Sequence, residues 1–312
     1  MSVAQHAGDP SAPSRAWLPL TAAGITMVLW ASAYVVRRAL SDAVAPGPLA
    51  FGRLLVGLVA MIVIAAAWPG RGWVSLPRGR ALVLVIAYGV LWYGIYTIVV
   101  NAAGSYLDAG TTAMIINLAP IIVAILAGIF LRERLSRQLV FGIIIAFAGV
   151  VIIASASRSG EIDPRGVTLA LISAVLYAVG VLLQKQALAT VDPVTVTWLG
   201  ALAGTVATLP FAGQLVHQLA DDPWTATAGV LYLGLFPTAI AYLLWTYALS
   251  RTGAGQLAAS AYVLPAITLL QSWLFLNEIP GAVALIGGAI SVVGVVVTQL
   301  PGRPVSTDAG PR

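Results

Sequence analysis

The stretch NLAPIIVAILAGIFLRERL, residues 117–135, places Pro120 inside an apolar run and ends that run with Glu133 between Arg132 and Arg134. A proline removes one backbone donor from a helix and crowds the preceding turn, and a carboxylate is costly at the end of so apolar a segment. Both features return 145 residues later in YVLPAITLLQSWLFLNEIP, residues 262–280, where Pro265 matches Pro120 and Glu278 matches Glu133. At the same offset Gly110 meets Gly255, Leu131 meets Leu276, Gly142 meets Gly287 and Gly149 meets Gly294. Near the start of each half the offset drifts to 147, aligning Trp30 with Tyr177, Arg38 with Lys185 and Pro46 with Pro193. A change of one or two residues in loop length accounts for the drift. The chain is therefore read as an internal repeat.

Composition says what solvent that repeat faces. Of 312 residues, 60% are apolar and only 9% are charged, and the mean hydropathy is +0.95. A soluble domain is about half apolar and about a quarter charged. No charge interrupts the chain between Arg80 and Asp108, between Asp108 and Arg132, or from Thr252 to Asn277. About 20 apolar residues rising ~1.5 Å each cross the ~30 Å hydrocarbon layer. The pattern predicts ten helices near 17–39, 48–68, 80–102, 107–131, 138–157, 165–188, 194–213, 225–249, 254–276 and 281–300, with Pro or Gly marking many of the loops. Residues 1–15 are expected to form a disordered tail, and residues 301–312 a second tail. The first apolar segment starts too far in and runs too long for a signal peptide.

Lys and Arg set the orientation. With the N-terminus inside, eleven of them fall on the inner side and four on the outer, with Arg53 inside the second helix. That positive-inside bias predicts cytoplasmic termini. It also reads the net charge of +5 and the pI near 9.7 as a topology signal, not a nucleic-acid footprint. An odd number of helices per half makes the second copy start on the opposite side. The expected fold is an all-α integral membrane protein, with ten transmembrane helices as two inverted five-helix repeats, residues 16–157 and 158–300, around a central cavity. Such repeats recur in secondary transporters, with the substrate site near mid-bilayer.

A small-residue start, a proline within the helix, an L-x-E exit and a glycine-bearing next helix together resemble the EamA domain, whose two copies characterise the drug/metabolite transporter superfamily. The first helix, WASAYVVRR (residues 30–38), is similar to that family's W-G-x-x-x-x-x-x-K pattern, with Ala31 in place of the glycine and Arg38 in place of the lysine. The resemblance covers residues 17–300. It implies a ten-helix carrier, usually an exporter of amino acids or other small metabolites, within a superfamily that also carries nucleobases, sugars, phosphorylated metabolites and drugs.

The candidate site residues each carry two readings. Pro120 and Pro265 are either packing kinks or hinges of a gate around the cavity. Asn117 and Tyr262 precede them by one turn and would put a polar group beside each kink. Trp30, Tyr34 and Arg38 share a stripe of the first helix, and Tyr177, Val181 and Lys185 take the aligned places in the sixth. Arg38 and Lys185 are either snorkelling cations or contacts for a substrate carboxylate or phosphate. Trp92 with Tyr96, and Tyr242 with Trp245, are either packing and belt residues or cavity walls able to hold an ammonium group. Glu133 is expected to be a solvated helix end flanked by topology-setting arginines. Glu278, without that flank, is the better candidate for a gate contact with Arg37 or Arg38. Arg53 is expected to pair with a carbonyl or an acid. Gly142, Gly149, Gly287 and Gly294 are expected to be packing faces.

Absences narrow the function. All eleven acids fall in loops, tails or helix ends, which favours facilitated diffusion or coupling through a boundary acid such as Glu133, Asp108 or Glu278. No P-loop, H-E-x-x-H or G-x-S-x-G pattern is present, and a chain without cysteine has no thiolate metal site or catalytic thiol. The two histidines, His6 and His217, do not form a plausible metal site. The reading is a secondary carrier of the plasma membrane, without cofactor or metal, that exports an amino acid or related amphiphile by alternating access. Its partners are a small-molecule substrate and the lipid bilayer, and it is a monomer or homodimer. The rivals are a membrane enzyme acting on a lipid-like substrate, a channel, against which the internal inverted repeat argues, and a carrier of another solute class.

Overall fold

A computed structural model of the chain describes residues 17–40, 43–67, 76–103, 106, 115–133, 135–156, 163–221, 224–276 and 281–300. Both predicted tails, Asp108 and Glu278 lie outside the described residues, as does the side chain of Arg38.

Among the described residues every regular element is a helix. Lipid offers no hydrogen bonds, so a spanning segment must satisfy its own backbone, and a helix does so within one segment. The helices are α1 (Trp17–Ala39), α2 (Pro46–Ala67), α3 (Arg80–Ala103), α4 (Ala119–Phe130), α5 (Arg137–Ala156), α6 (Pro164–Ala187), α7 (Pro193–Asp221), α8 (Thr225–Arg251), α9 (Ala254–Phe275) and α10 (Ala282–Gln299). All but α4 and α5 are long and apolar enough to cross a membrane. The protein is a multi-pass membrane protein. The predicted helix 107–131 begins in residues outside the described set; its described part is residues 115–118, which end in a turn, followed by α4.

Local chemistry sets the ends. Asp163 and Asp192 precede the Pro that opens α6 and α7, and each side chain accepts backbone N–H bonds from the first turn: Arg165 at 2.8 Å, and Val194 and Thr195 at 3.2 and 3.1 Å. The end of α7 differs from expectation. It was predicted near residue 213 but continues through a 3₁₀ turn at Leu209–Phe211 to Asp221. Tertiary contacts hold the extension: Leu215 is buried in a cluster with Leu49, Phe51 and Val230, and Gln218 accepts the Ala45 N–H at 3.0 Å just before α2.

Besides the 3₁₀ turn in α7, four irregularities interrupt the helices among the described residues. Residues Gly89–Tyr96 of α3 and Gly234–Ile240 of α8 are π-helical, and the two segments begin 145 residues apart. In α8 the cause is visible. Pro237 has no N–H to offer the Leu233 carbonyl, and the Thr238 hydroxyl donates to that carbonyl at 2.7 Å instead. A turn at Asn117–Leu118 precedes α4, and a 3₁₀ segment at Ser260–Val263 divides α9. Pro120 and Pro265 therefore do not break an intact helix, as the sequence suggested. Each is the second residue of the helical piece after a break, where a missing N–H loses no intrahelical bond.

Small residues bring the helices together, as expected where lipid supplies no hydrophobic drive between them. α5 lies along α10 through its glycine face: a Cβ at Gly142 would sit 2.5 Å from the Thr298 side chain, and one at Gly287 only 2.7 Å from the Gly149 carbonyl. α3 packs on α7 and α2 on α8, while α1 lies on α8 and α9 and α6 on α3 and α4. Ser291 of α10 donates to the Tyr262 carbonyl at 2.6 Å, tying that helix to the break in α9.

Replacing Gly149 or Gly287 by Val should lower the thermal stability of the detergent-solubilised protein by about 1–3 kcal/mol, the usual size of an overpacking defect. Gly213→Ala, where a Cβ meets nothing within 4 Å, should stay near wild type. Equal unfolding temperatures for all three variants would contradict the close-packed face.

Candidate functional site

The middle of the bundle is filled with aromatic rings. Trp30 of α1 lies 4.9 Å from Trp245 and 5.4 Å from Tyr242 of α8, centroid to centroid, and 6.4 Å from Trp92 of α3. Trp92 in turn meets Tyr177 of α6 at 5.1 Å, Tyr242 at 5.8 Å and Trp245 at 5.9 Å. Tyr96 reaches Tyr177 at 6.0 Å. Most of these pairs are edge-to-face, the arrangement in which ring quadrupoles attract. Four helices from both halves of the chain thus converge on one layer.

The layer is graded in access. Trp92 and Trp245 are fully buried, Tyr177 and Tyr242 nearly so, while Trp30, Tyr34 and Tyr96 are half-buried. The π-helical segments shape it: Trp92 and Tyr96 lie within the first, and the Trp30 indole donates at 3.2 Å to the carbonyl of Pro237 in the second. Tyr177 carries a buried hydroxyl with no hydrogen-bond partner among the described residues. A buried polar atom left so is costly unless something fills the place.

Two polar networks flank the rings. Buried Gln184 of α6 donates to Tyr88 Oη at 2.9 Å and Thr246 Oγ1 at 2.8 Å, and its amide oxygen accepts from the Trp245 indole at 3.2 Å. Beyond the other edge, Arg37 donates to Asn101 Oδ1 at 2.9 Å, and Asn101 donates to the Pro46 carbonyl at 3.2 Å. Gln184 stands 147 residues after Arg37, and Thr246 stands 145 after Asn101. The Arg37 guanidinium also lies 5.7 Å from the centre of the Tyr34 ring. Arg53 departs from expectation, since its Nε donates at 3.0 Å to the Thr238 hydroxyl rather than to a carbonyl or an acid. The reason lies in α8: Thr238 spends its hydroxyl proton on the Leu233 carbonyl, so a lone pair faces Arg53.

The far end of α6 holds a second constellation. Lys185 Nζ donates to the Leu249 and Thr252 carbonyls at 2.6 and 2.5 Å, at the C-terminus of α8, where a cation is favoured. Glu133 reaches across from the α4 side and accepts the N–H groups of Ala254 and Gly255 at 2.9 and 3.3 Å. It is not the plain solvated helix end expected from its arginine flanks. A cavity of about 630 Å³ opens there, lined by Glu133, Lys185, Gln256 and Thr298 among others.

Of the sequence-derived candidates, the structure brings together Trp30, Trp92, Tyr96, Tyr177, Tyr242 and Trp245, with Tyr34 beside Arg37. It sets Tyr262 apart, buried in a separate cluster against Phe147 at 6.3 Å. Asn117 is buried at the turn before α4. Lys185 sits at the opposite end from Arg37, while Glu278 and the Arg38 side chain lie outside the described residues. Sequence reasoning passed over Asn101, Thr238 and Tyr88, and did not count Arg53 or Gln184 as site residues. Arg53 was the one with a signal, a cation inside an otherwise uncharged span. Among the described residues no group of three His, Cys, Asp or Glu side chains gathers to hold a metal.

Known proteins place this geometry in context. The profile of the EamA-like transporter family matches residues 17–155 and again residues 164–300. A protein of Streptantibioticus cattleyicolor described as a probable terminal-alkyne amino-acid exporter is 33% identical over 273 residues, 88% of this chain and 90% of that one. A probable amino-acid metabolite efflux pump of Salmonella typhimurium is 24% identical over 78% of this chain and 84% of its own. A solved crystal structure matches with a TM-score of 0.75 at 20% identity, covering 93% of this chain and 99% of that one, which supports the fold.

Gln184→Leu should strip the buried Trp245 N–H of its acceptor and destabilise the protein by about 1–3 kcal/mol, read as a lower unfolding temperature in detergent. An unchanged melting curve would mean that the hub does not hold α6, α3 and α8 together.

Proposed function

This chain belongs to the EamA-like transporter family, and we propose that it exports an amino acid or a related amphiphile across the plasma membrane, both termini lying in the cytoplasm. Membership makes it a secondary transporter of a small molecule. The finer reading is a ten-helix carrier built from two inverted repeats, residues 16–157 and 158–300.

Several matched features support the repeat. The family profile fits twice. The π-helical segments recur at the sequence offset, as do the breaks before Pro120 and Pro265. Helix contacts come in pairs: α3 on α7 with α8 on α2, and α1 on α8 and α9 with α6 on α3 and α4. Two halves that differ only in tilt give an alternating-access carrier its two states.

The observation that carries the functional reading is the aromatic layer, contributed by α1, α3, α6 and α8. Rings give a flat apolar surface and, over their faces, attraction for an ammonium group. Trp30, Tyr34, Trp92, Tyr96, Tyr177, Tyr242 and Trp245 are the proposed substrate contacts. Asn117 and Tyr262 neighbour the breaks at Pro120 and Pro265, where the hinges would lie. On the proposed topology Arg37 is at the outer end and Glu133 with Lys185 at the inner. The half-buried rings then face outward, and the contact of Glu133 with Ala254 and Gly255 closes the inner end. Two named relatives, an amino-acid exporter and an amino-acid metabolite efflux pump, point to the substrate class.

In proteoliposomes, uptake of a labelled amino acid should saturate and should accelerate when the same solute is loaded inside. Trp30→Ala and Tyr177→Ala should each reduce that exchange at least about tenfold. Unsaturable conductance, or full exchange in both variants, would overturn the proposal. Accumulation driven by an imposed pH gradient would show coupling through a boundary acid instead of facilitated diffusion.

A further inference from the structure

We infer that Arg53 is the anchor for a carboxylate on the transported solute. The inference rests on the carrier reading above and adds the group that the aromatic layer lacks.

Arg53 is the eighth residue of α2, about 10 Å along the helix from its start at ~1.5 Å per residue. It is half-buried, yet it does not look out at lipid. Its Nε bonds Thr238 of α8, and it lies within electrostatic reach of Tyr34 of α1, Tyr96 of α3, Tyr242 of α8 and Arg37. Thr238 is fully buried, so the guanidinium bonded to it is turned into the bundle and not toward lipid.

Among the described residues that charge has no acidic partner. Acids among the described residues are Glu133, Asp163, Asp192 and Asp221, all in loops or at helix ends. Arg37 repels it. A guanidinium carries five N–H donors, and Arg53 uses one of them on Thr238. Its terminal amino groups make no hydrogen bond among the described residues. A cation held within the membrane normally faces a partner or a wet cavity, and the open side of a guanidinium fits a carboxylate with two parallel bonds.

The surroundings select the rest of the solute. The Nε bond to Thr238 fixes the plane of the guanidinium, because Thr238 is itself pinned to the Leu233 carbonyl. Tyr34, Tyr96 and Tyr242 lie within electrostatic reach of the guanidinium, and the Tyr177 hydroxyl, unpartnered among the described residues, belongs to the same aromatic layer. A small molecule with one carboxylate at Arg53 and an apolar or ammonium portion over the rings satisfies both. Arg37 is held by Asn101 at the end of α1, whereas Arg53 lies two turns inside α2, which makes Arg53 the contact we assign.

The test uses the full-length protein in proteoliposomes preloaded with a neutral amino acid. Competitors are the same amino acid, its methyl ester and the corresponding decarboxylated amine. In the wild type the free acid should compete, and the ester and amine should be at least about tenfold weaker. Arg53→Gln should raise the KM for the acid at least about tenfold and remove the preference over the ester, and Arg53→Lys should restore part of it. Equal competition by the ester or amine in the wild type, which needs no variant, would refute the inference while leaving the carrier reading intact. So would an Arg53→Gln protein that folds and keeps both KM and preference. Absence of saturable exchange for all three solutes in the wild type would instead overturn the amino-acid reading on which the anchor depends.

Discussion

In hydrocarbon every backbone N–H and C=O must find its partner inside the protein, and the rest of this structure is arranged around that demand. It explains how so helical a chain tolerates prolines at its centre. Pro120 and Pro265 follow breaks, where a missing donor loses nothing. Pro237 sits within a π-helical segment, and Thr238 supplies the hydrogen bond that Pro237 cannot. That one substitution of a hydroxyl for an amide then determines where Arg53 points. A backbone problem and a charge problem share a single side chain.

The second demand is contact. Without a hydrophobic drive between helices, association depends on close approach, and the tightest approaches are where glycine or another small residue lets backbones meet. α5 and α10 use theirs on each other and contribute no ring to the aromatic layer. α3 and α7, and α2 and α8, use theirs where the aromatic layer is built. Packing and site are therefore not separable: the π-helical stretch that seats Gly89 against α7 also carries Trp92 and Tyr96.

Charged groups divide by depth. Lys185 and Glu133 serve helix ends, one on terminal carbonyls of α8 and the other on the first N–H groups of α9, so their partners are backbone dipoles. Arg37 is held by an asparagine beyond the ring layer. Arg53, within α2, commits one donor to Thr238 among the described residues. Its position gives the layer a polar pole, whereas rings by themselves discriminate poorly among flat solutes.

The amino-acid order by itself determined the lipid-embedded helical character, nearly all helix boundaries, the offset of 145 and the glycine faces. Each of these follows from local composition or from periodicity along one segment. It also put Trp30, Trp92, Tyr177, Tyr242 and Trp245 on one list, because large aromatics in apolar spans are conspicuous. Only the tertiary structure decided which of them meet, and that Tyr262 lies apart. It decided that α7 runs on to Asp221, since the contacts holding it come from α2. It moved Glu133 from a helix end to a contact with Ala254 and Gly255, and it turned Arg53 toward Thr238. These depend on groups far apart in sequence, Arg53 and Thr238 or Glu133 and Ala254. A hydrogen bond specifies distance and direction in space, and neither can be read from spacing along the chain.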